Sequence, residues 1–330
     1  MGVQVRILVE SEIRGVIGPP EALRVVREGF VALARGEASL PGVIGFTLPS
    51  GGEVHVKGAH IHGSRFFSIK EAGGFPGAAA QGLPTSSGMV QVFDAETGQL
   101  RGLLFDNGYL TDLRTGAAGA LSAEMLARAG VVQAGILGTG AQARYQLEAL
   151  LSVRQPGRVL VWGRSEDKAR AFAREIGGRY NWLPVEAVGN AYQAVEGSEV
   201  VITVTGATEP LVREDWVMQG THITAVGSDA PEKCELMGQV LAKADKIVAD
   251  RLSQCLAIGE IHHGVEGGFI AQGDVYAELG ELLAGMKPGR QGEDEITLAD
   301  LTGVGVQDAA VSAFVMEEAE RRSLGRLLDV

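Results

Sequence analysis

Cysteine is scarce in this chain, with Cys234 and Cys255 the only two among 330 residues. Neither belongs to a Cys-x-x-Cys pair, so the sequence predicts neither a disulfide framework nor a cysteine-based zinc site. Two thiols without a pairing pattern are typical of proteins from a reducing compartment. We therefore expect a cytoplasmic protein.

Long apolar runs and basic runs are missing as well. No apolar run approaches the length of a membrane span, and residues 1–13 carry charged Arg6 and Glu10, unlike a signal peptide. The 29 basic residues are outnumbered by 41 acidic ones, which gives a net charge of -12. We therefore expect no binding to nucleic acid or to membranes. The Gly-x-Ser-x-Gly elbow of serine hydrolases is also absent, so that class is excluded.

Glycine, in contrast, is plentiful. The 47 glycines fall mostly at turns and at the ends of predicted elements. The hydrophobic share of 45% is ordinary for a globular protein, and 330 residues are enough for two domains with separate cores.

One glycine-rich stretch organises the rest of the chain. Residues 131–137 form a short apolar run that predicts a strand buried on both faces of a parallel sheet. Residues 138–143 follow at once, fit Gly-x-Gly-x-x-Ala and precede a predicted helix. Gly138 permits the tight turn, Gly140 lets a pyrophosphate approach the backbone, and the helix N-terminus offers free N–H groups. We interpret the stretch as a dinucleotide-binding loop, with an ordinary glycine-rich turn as the alternative.

From residue 131 onward, strands and helices alternate in the manner of βαβ units. Further strands are predicted over 159–162, 199–204, 222–226 and 246–250, the last closing the series. The fold class is therefore α/β, with a Rossmann-type doubly wound parallel sheet in a domain at 120–305.

The remaining residues, 1–119 and 306–330, are predicted to form a split α+β domain. Its elements are a first strand, a helix opened by Pro19-Pro20, an antiparallel region at 40–108 with a hairpin of 89–93 and 100–104, a helix over 110–128, and a C-terminal helix ending at Arg322. Gly116 and Gly119 lie inside the predicted helix 110–128, and we expect them to pack closely against another backbone.

Three cations of this domain stand out. Lys57 and Lys70 lie on predicted strands and Arg114 in the first turns of a helix, where a cation opposes the helix dipole. An anion bound beside that helix start would explain Arg114, and Lys70 follows an apolar run. A substrate-carboxylate role is favoured for Lys70 and Arg114, and solvated surface charges are the alternative.

Asp229 follows the predicted strand 222–226, and ligands of open α/β sheets collect at the carboxyl ends of strands. A carboxylate there can transfer protons beside a nicotinamide ring. A turn or N-cap aspartate before Pro231 is nearly as good an interpretation.

Four histidines invite a metal interpretation, namely His60, His62, His262 and His263. His60 and His62 would share one strand face. We find no acidic or thiol partner at a convincing spacing and predict no metal site.

Five sequence blocks, taken in order, resemble the ornithine cyclodeaminase/μ-crystallin family over essentially the full length. They are Ser68–Lys70, Leu110–Ala118, Gly138–Gln142, Ala225–Asp229 and Gly303–Asp308. The segment 54–88 is also similar to the cyclodeaminase-like protein of ectoine catabolism, and iminosuccinate reductases are among the members it looks closest to.

The resemblance implies a homodimer formed through the split domain, which also binds the substrate, with the Rossmann domain outside it. It implies that Lys70 and Arg114 bind the substrate carboxylate and that Asp229 is the acid/base at the reacting nitrogen. Family members usually carry an arginine soon after the proline that matches Pro41, and this chain has none there. Ornithine cyclodeaminases have a glutamate where Lys57 stands. Both departures argue against ornithine as the substrate.

The first functional hypothesis is an NAD(P)-dependent oxidoreductase acting on the C–N bond of a small α-amino or α-imino acid, as in ketimine reductases and amino-acid dehydrogenases. Asp229 and Lys70 are its predicted catalytic residues, and Lys57, Lys70, Arg114 and Gly303 bind the substrate. The alternatives are an ornithine cyclodeaminase that recycles its NAD and a small-ligand binding protein of the μ-crystallin type.

The cofactor is predicted to be NADP(H), with NAD(H) possible. No acid stands at the end of the strand 159–162, and Arg164 and Ser165 follow it in a position to hold a 2′-phosphate. An exposed arginine before an N-cap serine is the alternative. The full set of predicted cofactor-binding residues is Thr115, Gly138, Thr139, Gly140, Ala141, Gln142, Arg164, Ser165, Thr203, Val204, Thr205, Val226, Ser228 and Asp308.

Lys57 has two predicted uses. It can replace the arginine missing after Pro41 and hold the α-carboxylate, or it can bind a second carboxylate of an iminosuccinate- or aspartate-like substrate. A surface lysine whose ammonium reaches solvent is the alternative to both.

Overall fold

A computed structural model describes residues 4–330. Its chain divides into two compact units, a first unit that runs to Arg114 and resumes at Val304–Val330, and a second unit of Thr115–Gly303. The boundaries expected from sequence lay after residues 119 and 305. Among the described residues, no helix is both long and apolar enough to cross a membrane.

In the first unit most strands follow one another directly, whereas strands and helices mostly alternate in the second. In chain order they are β1 (Gln4–Val9), α1 (Glu10–Arg14), α2 (Pro19–Ala34), β2 (Ala38–Ser39), β3 (Ile44–Thr47), β4 (Glu53–Ile61), β5 (Phe66–Gly74), β6 (Ser86–Asp94), β7 (Leu100–Phe105), α3 (Tyr109–Leu126), β8 (Gln133–Leu137), α4 (Ala141–Leu150), β9 (Arg158–Trp162), α5 (Glu166–Arg179), β10 (Val185–Ala187), α6 (Ala191–Val195), β11 (Val200–Thr203), β12 (His222–Ala225), α7 (Gly238–Lys243), β13 (Lys246–Ala249), α8 (Leu252–Cys255), α9 (Glu260–Glu266), β14 (Val275–Glu278), α10 (Leu279–Leu283), β15 (Thr297–Asp300), α11 (Gly305–Arg321) and β16 (Arg326–Asp329).

The first unit is built on a mixed sheet with the order β16-β1-β7-β6-β5-β4-β2, and β3 also pairs with β4. The predicted hairpin is confirmed as β6 and β7. Helix α11 packs against α2 and against β4, β5 and β6. The inner face is apolar where α11 and α2 cover it, with Val90, Val92 and Leu104 buried.

The second unit is a Rossmann-type sheet of eight parallel strands in the order β10-β9-β8-β11-β12-β15-β13-β14. The chain runs from β8 outward to β10, then returns to place β11 on the other side of β8. The strand order therefore reverses between β8 and β11, which is where ligands of doubly wound sheets bind.

Three strands of this sheet differ from the prediction. Residues 246–249 do not close the series, because β14 and β15 follow, and β10 was missed as well. Strand β15 is completely buried between β12 and β13, yet it is only four residues long and has polar Thr297 and Asp300 at its ends. Such a short run, polar at both ends, gives no strand periodicity to detect.

Both glycines inside α3 pack closely against α4, but only Gly116 packs against backbone, as was predicted for both. A Cβ on Gly116 would lie 2.7 Å from the carbonyl oxygen of Tyr145 on α4. At Gly119 the neighbour is the Gln146 side chain rather than backbone, at 1.8 Å from the same ideal Cβ. The two glycines let α3 and α4 approach, which holds the start of α4 in place.

Candidate active site

The loop from Gly138 to Gly140 (the glycine loop) joins β8 to α4 and has the shape of a phosphate cradle. Gly138 has φ of +129°. A Cβ there would lie 2.7 Å from the Val204 carbonyl oxygen, whereas nothing lies within 4 Å of one on Gly140. The loop therefore needs glycine at 138 for its own fold, and it leaves open space over Gly140.

The start of α4 is open to an anion. Gly140 is the N-cap residue and, as a glycine, offers no side chain to cap the first N–H groups of the helix. Ala143, in the first turn of α4, is fully buried. These features fit a dinucleotide pyrophosphate.

Other predicted cofactor residues of the second unit lie at the ends of β11 and β12 or on α3. Those that follow the carboxyl ends of β11 and β12 are Val204, Thr205, Val226 and Ser228, and Thr203 ends β11. Thr115 lies on α3, and its carbonyl accepts a hydrogen bond from Gln146 at 2.9 Å. Because β8, β11 and β12 are neighbours in a parallel sheet, the glycine loop and both of these loops lie on one edge.

The segment after β9 carries the residues predicted to select the cofactor. The Arg164 side chain is exposed and makes no ion pair within the described residues. Ser165 is the N-cap of α5, and its hydroxyl oxygen accepts from the Lys168 N–H at 3.4 Å. An exposed arginine beside a capping serine is what the structure contains, and no acid stands at the end of β9.

The first unit holds a buried ionic group, called here the cation cluster: Lys57, Lys70, Arg114 and Asp308. Lys57 on β4 is the direct cross-strand neighbour of Lys70 on β5. The exposed fractions are 8% for Lys57, 2% for Lys70, 5% for Arg114 and 1% for Asp308. The alternative of solvated surface lysines is therefore wrong for both strands.

Asp308 is the shared counterion. Its Oδ1 lies 3.1 Å from Lys70 Nζ and 3.1 Å from Arg114 Nε. Arg114 Nη1 also donates to Gln307 Oε1 at 3.1 Å. Both partners come from the first turn of α11, where an acid suits the positive end of the helix dipole. Asp308 was predicted to bind the cofactor, and the structure places it here, between Lys70 and Arg114.

Two buried polar atoms of this group have no hydrogen-bond partner among the described residues. They are Asp308 Oδ2 and Gln307 Nε2. Buried polar atoms are normally satisfied, so an unpaired amide donor beside two cations marks a place for an anionic ligand.

Burial and the neighbouring charges shift both titratable partners. The pKa of Lys70 is lowered to about 7, chiefly by burial and also by the charges of Arg114 and Lys57, while Asp308 opposes the shift. Burial alone would raise the pKa of Asp308, but the charges of Lys70, Arg114 and Lys57 outweigh it and hold that pKa below its usual value. At neutral pH the aspartate is ionised and the lysine is close to its titration point.

Asp106 is a buried carboxyl that the sequence reasoning missed. Its Oδ2 accepts from the Leu110 N–H at 2.8 Å and so caps the start of α3. Burial raises its pKa, against its backbone hydrogen bonds and the charge of Lys70. Its position just before the predicted helix was the signal for a cap.

Asp229 lies in the loop after β12, in the second unit, with 47% of its side chain exposed. Lys233 Nζ lies 2.8 Å from its Oδ1. The turn interpretation has support, since the loop closes on itself through the Ser228 hydroxyl and the Lys233 carbonyl.

Gly303, a predicted substrate-binding residue, has φ of +82°, and its N–H donates to Asp250 Oδ2 at 2.6 Å.

The histidines need one correction. His262, His263 and Glu266 lie on α9 with ligand-type atoms within 4.8 Å of one another. An acidic partner at helical spacing therefore exists for one pair, contrary to the sequence reasoning. His262 Nδ1 faces the Leu256 carbonyl at 3.1 Å and His263 Nε2 the Lys233 carbonyl at 2.8 Å. One ring nitrogen of each is thus used in fixing the loop ends.

The chain is similar to known proteins over nearly its full length. The model of the ornithine cyclodeaminase/mu-crystallin family matches residues 4–323. An uncharacterized cyclodeaminase of Sinorhizobium fredii is 41% identical over 327 residues, which cover 98% of each chain.

Solved structures are also similar to this chain over nearly its full length. An archaeal alanine dehydrogenase dimer with bound NAD has a TM-score of 0.92 and 35% identity, covering 99% of each chain. The Thermococcus litoralis Δ1-pyrroline-2-carboxylate reductase in complex with NADH and L-proline has a TM-score of 0.92 and 30% identity, covering 98% of this chain and 99% of the other. Both of these neighbours bind NAD or NADH.

Proposed function

The chain belongs to the ornithine cyclodeaminase/mu-crystallin family, and on that premise we propose that it is an NAD(P)-dependent oxidoreductase acting on the C–N bond of a small α-amino or α-imino acid. The observation that carries the proposal is the cation cluster, where Lys70 and Arg114 are buried around one carboxylate. Burying cations is costly, so such a group is kept for an anion that arrives from outside.

Lys70 and Arg114 bind the substrate carboxylate. The guanidinium offers a planar pair of donors, and the ammonium adds a point charge. The unpaired Gln307 Nε2 supplies a further donor. An arriving carboxylate also stabilises the protonated form of Lys70, whose pKa is about 7 in the free protein.

The second unit holds the cofactor. The glycine loop and the N-terminus of α4 bind the pyrophosphate, and the loops after β11 and β12 take the nicotinamide half. When bound, the nicotinamide exchanges hydride with the α-carbon of the substrate. Asp229 donates or accepts the proton at the substrate nitrogen.

NADP(H) is our preferred cofactor. Arg164 is an unpaired exposed guanidinium at the end of β9, where the adenosine ribose of such folds lies, and no acid competes for the ribose hydroxyls. Ser165 already caps α5, so its hydroxyl has only its proton to offer a phosphate. The preference therefore rests mainly on Arg164.

A homodimer is proposed through the outer face of the sheet of the first unit. On that face Phe67 and Phe93 stack with ring centroids 4.9 Å apart, while Ile69 and Phe105 are 37% and 40% exposed. Strand register places these residues, with Val9, on one face. An exposed apolar surface of this kind marks a protein interface. The buried, unpaired thiols Cys234 and Cys255 fit a reducing cytoplasm.

The second candidate is a cyclodeaminase, favoured by the name of the 41% identical relative. It would oxidise the amine with NAD, lose ammonia on ring closure and take the hydride back. Lys57 argues against a diamino substrate, because a buried ammonium repels the side-chain ammonium of ornithine.

The test is oxidation of NADH and of NADPH with a panel of 2-oxo acids in ammonia or methylamine, and with Δ1-pyrroline-2-carboxylate. Oxidation that depends on the imine supports the proposal. Ammonia release from ornithine without net change at 340 nm supports the cyclodeaminase instead. Saturable binding of small ligands with neither reaction identifies a binding protein and overturns the proposal.

A further inference from the structure

Glu235 is a completely buried glutamate between the two loops that follow β11 and β12. Its Oε1 accepts from the Thr205 N–H at 2.6 Å and from the Thr205 hydroxyl at 2.7 Å. Its Oε2 accepts from the Gly227 N–H at 2.9 Å. One carboxylate thus joins two loops at the carboxyl ends of adjacent parallel strands.

The contact is too close for any residue but glycine at 227. A Cβ on Gly227 would lie 2.2 Å from the Thr205 carbonyl oxygen and 2.6 Å from the Glu235 carboxyl. The two loops therefore touch through their backbones, and the carboxylate fills the remaining space.

The geometry also suits a carboxyl group better than an amide. All three partners can donate, and a glutamine would have to turn its NH₂ toward one of the two N–H groups. Burial raises the pKa of Glu235, and the hydrogen bonds it accepts oppose that rise.

Glu235 is itself held by the chain around it. Glu260, at the start of α9, accepts from the N–H groups of Glu235 and Leu236 at 2.8 and 3.1 Å. The carbonyl of Glu235 accepts from Leu211 and Val212 at 2.7 and 3.0 Å. The backbone that carries the carboxylate is therefore fixed at both of its polar groups.

We propose that Glu235 is a positioning residue: its carboxylate sets the loop after β12 against the loop after β11 and so places Asp229, two residues beyond Gly227, for proton transfer. The inference rests on the proposed function, in which Asp229 is the acid/base. Glu235 thus acts on Asp229 through the two loops that it joins.

Glu235→Gln is the test, measured as kcat and KM for the best imine, with each preparation normalised to its NADH binding sites. Normalisation removes any unfolded fraction from kcat. We expect kcat to fall at least about tenfold with KM within about threefold, because the carboxylate-binding residues belong to the other unit. NADH affinity should also stay within about threefold.

Asp300→Asn is the matched control. Asp300 is another buried carboxyl of the same sheet edge, and the N–H from which it accepts, at 2.9 Å, is that of Ile261 on α9. Burial raises its pKa to about 8, so it is protonated at neutral pH and an amide replaces it closely. Its kcat should stay within about threefold of wild type.

Three results overturn the inference. Wild-type turnover with an unchanged kcat in Glu235→Gln does so while leaving the proposed function intact. An equal loss in Asp300→Asn shows a general effect of altering buried carboxyls. No wild-type turnover on any imine overturns the proposed function and this role with it. If Glu235→Gln binds no NADH, Thr205→Val, which removes one donor, replaces it and should lower kcat at least about threefold.

Discussion

Lys57 and Lys70 face each other directly across neighbouring antiparallel strands, and both side chains are buried on the same face of the sheet. Like charges placed in this way repel, and the charge of Lys57 contributes to lowering the pKa of Lys70. Asp308 lies beside Lys70 as its counterion. The role proposed for the pair is to bind anions.

From this pair we expect that small neutral or acidic substrates outperform ornithine and lysine. We also expect Lys57→Glu to lower kcat/KM on the preferred substrate at least about tenfold, or roughly 1.4 kcal/mol, because it reverses a charge beside the carboxylate site. The control is Arg35→Glu, an exposed charge reversal of the same unit. A wild type that turns over ornithine best, or a Lys57→Glu variant with full activity, refutes the assignment.

The pKa of Lys70 gives a pH profile with a definite sign. Below its pKa of about 7 the lysine is an ammonium and binds a carboxylate, and as the pH rises through that value it becomes neutral. Since kcat/KM reports on the free enzyme, it should fall above about pH 7. In Lys70→Arg, which stays charged, this alkaline limb should disappear even if the maximum rate is lower. A wild-type profile that is flat from pH 6 to 9 would contradict the expectation.

Substitutions at the two glycines of the glycine loop should have different effects, one on stability and the other on cofactor affinity. Gly138→Ala forces a Cβ to 2.7 Å from a carbonyl oxygen at φ of +129°, and should cost roughly 1–3 kcal/mol of unfolding free energy. Gly140→Ala meets open space in the free protein, so its melting temperature should hardly change. It should nevertheless bind NADH or NADPH at least about tenfold more weakly, because the Cβ occupies the pyrophosphate position. Thermal melts and fluorescence titrations distinguish the two.

Cofactor choice depends on Arg164. NADPH should bind more tightly than NADH, and Arg164→Ala should remove most of that difference while leaving NADH affinity nearly unchanged. Ser165→Ala is the structural control, with an expected loss of about 1 kcal/mol of stability through the α5 cap. Tighter NADH binding by wild type, or indifference of NADPH to the arginine, would refute the preference.

The outer face of the first sheet should govern the oligomeric state. Phe105→Asp places a charge within the apolar surface and should convert a dimer to a monomer at micromolar concentration, as measured by light scattering. Arg35→Glu, at the exposed C-cap of α2 and outside this sheet, is the charge-change control. A wild-type monomer, or a Phe105→Asp dimer, would exclude this face as the interface.

Short-range patterns in the sequence predicted much of this structure. Gly138 and Gly140 between an apolar strand and a helix were enough to locate the Rossmann sheet, and Lys57, Lys70 and Arg114 were chosen from local context. Asp308 was predicted as a cofactor-binding residue, but its contact with Arg114 was not predicted, because that contact spans 194 positions of the chain. No local pattern encodes such a contact.

The buried carboxyls were harder still. Glu235 and Glu260 lie in irregular or very short elements, so their burial produces no periodicity. Asp106 is the exception, since a helix cap has a local signature. Strand β15 was not predicted for a related reason. Its pairing with strands on both sides, rather than its composition, makes it a strand.

The discontinuity of the first unit has a consequence for the order in which the protein is made. Lys70 and Arg114 leave the ribosome long before Asp308, and the whole second unit is synthesised between them. Until residue 308 emerges, the two cations have no counterion from α11 and cannot be buried without the full desolvation cost. The second unit is contiguous and can fold as it appears. The nucleotide-binding half is thus ready first, and the anion-binding half is completed only when the last part of the chain returns to it.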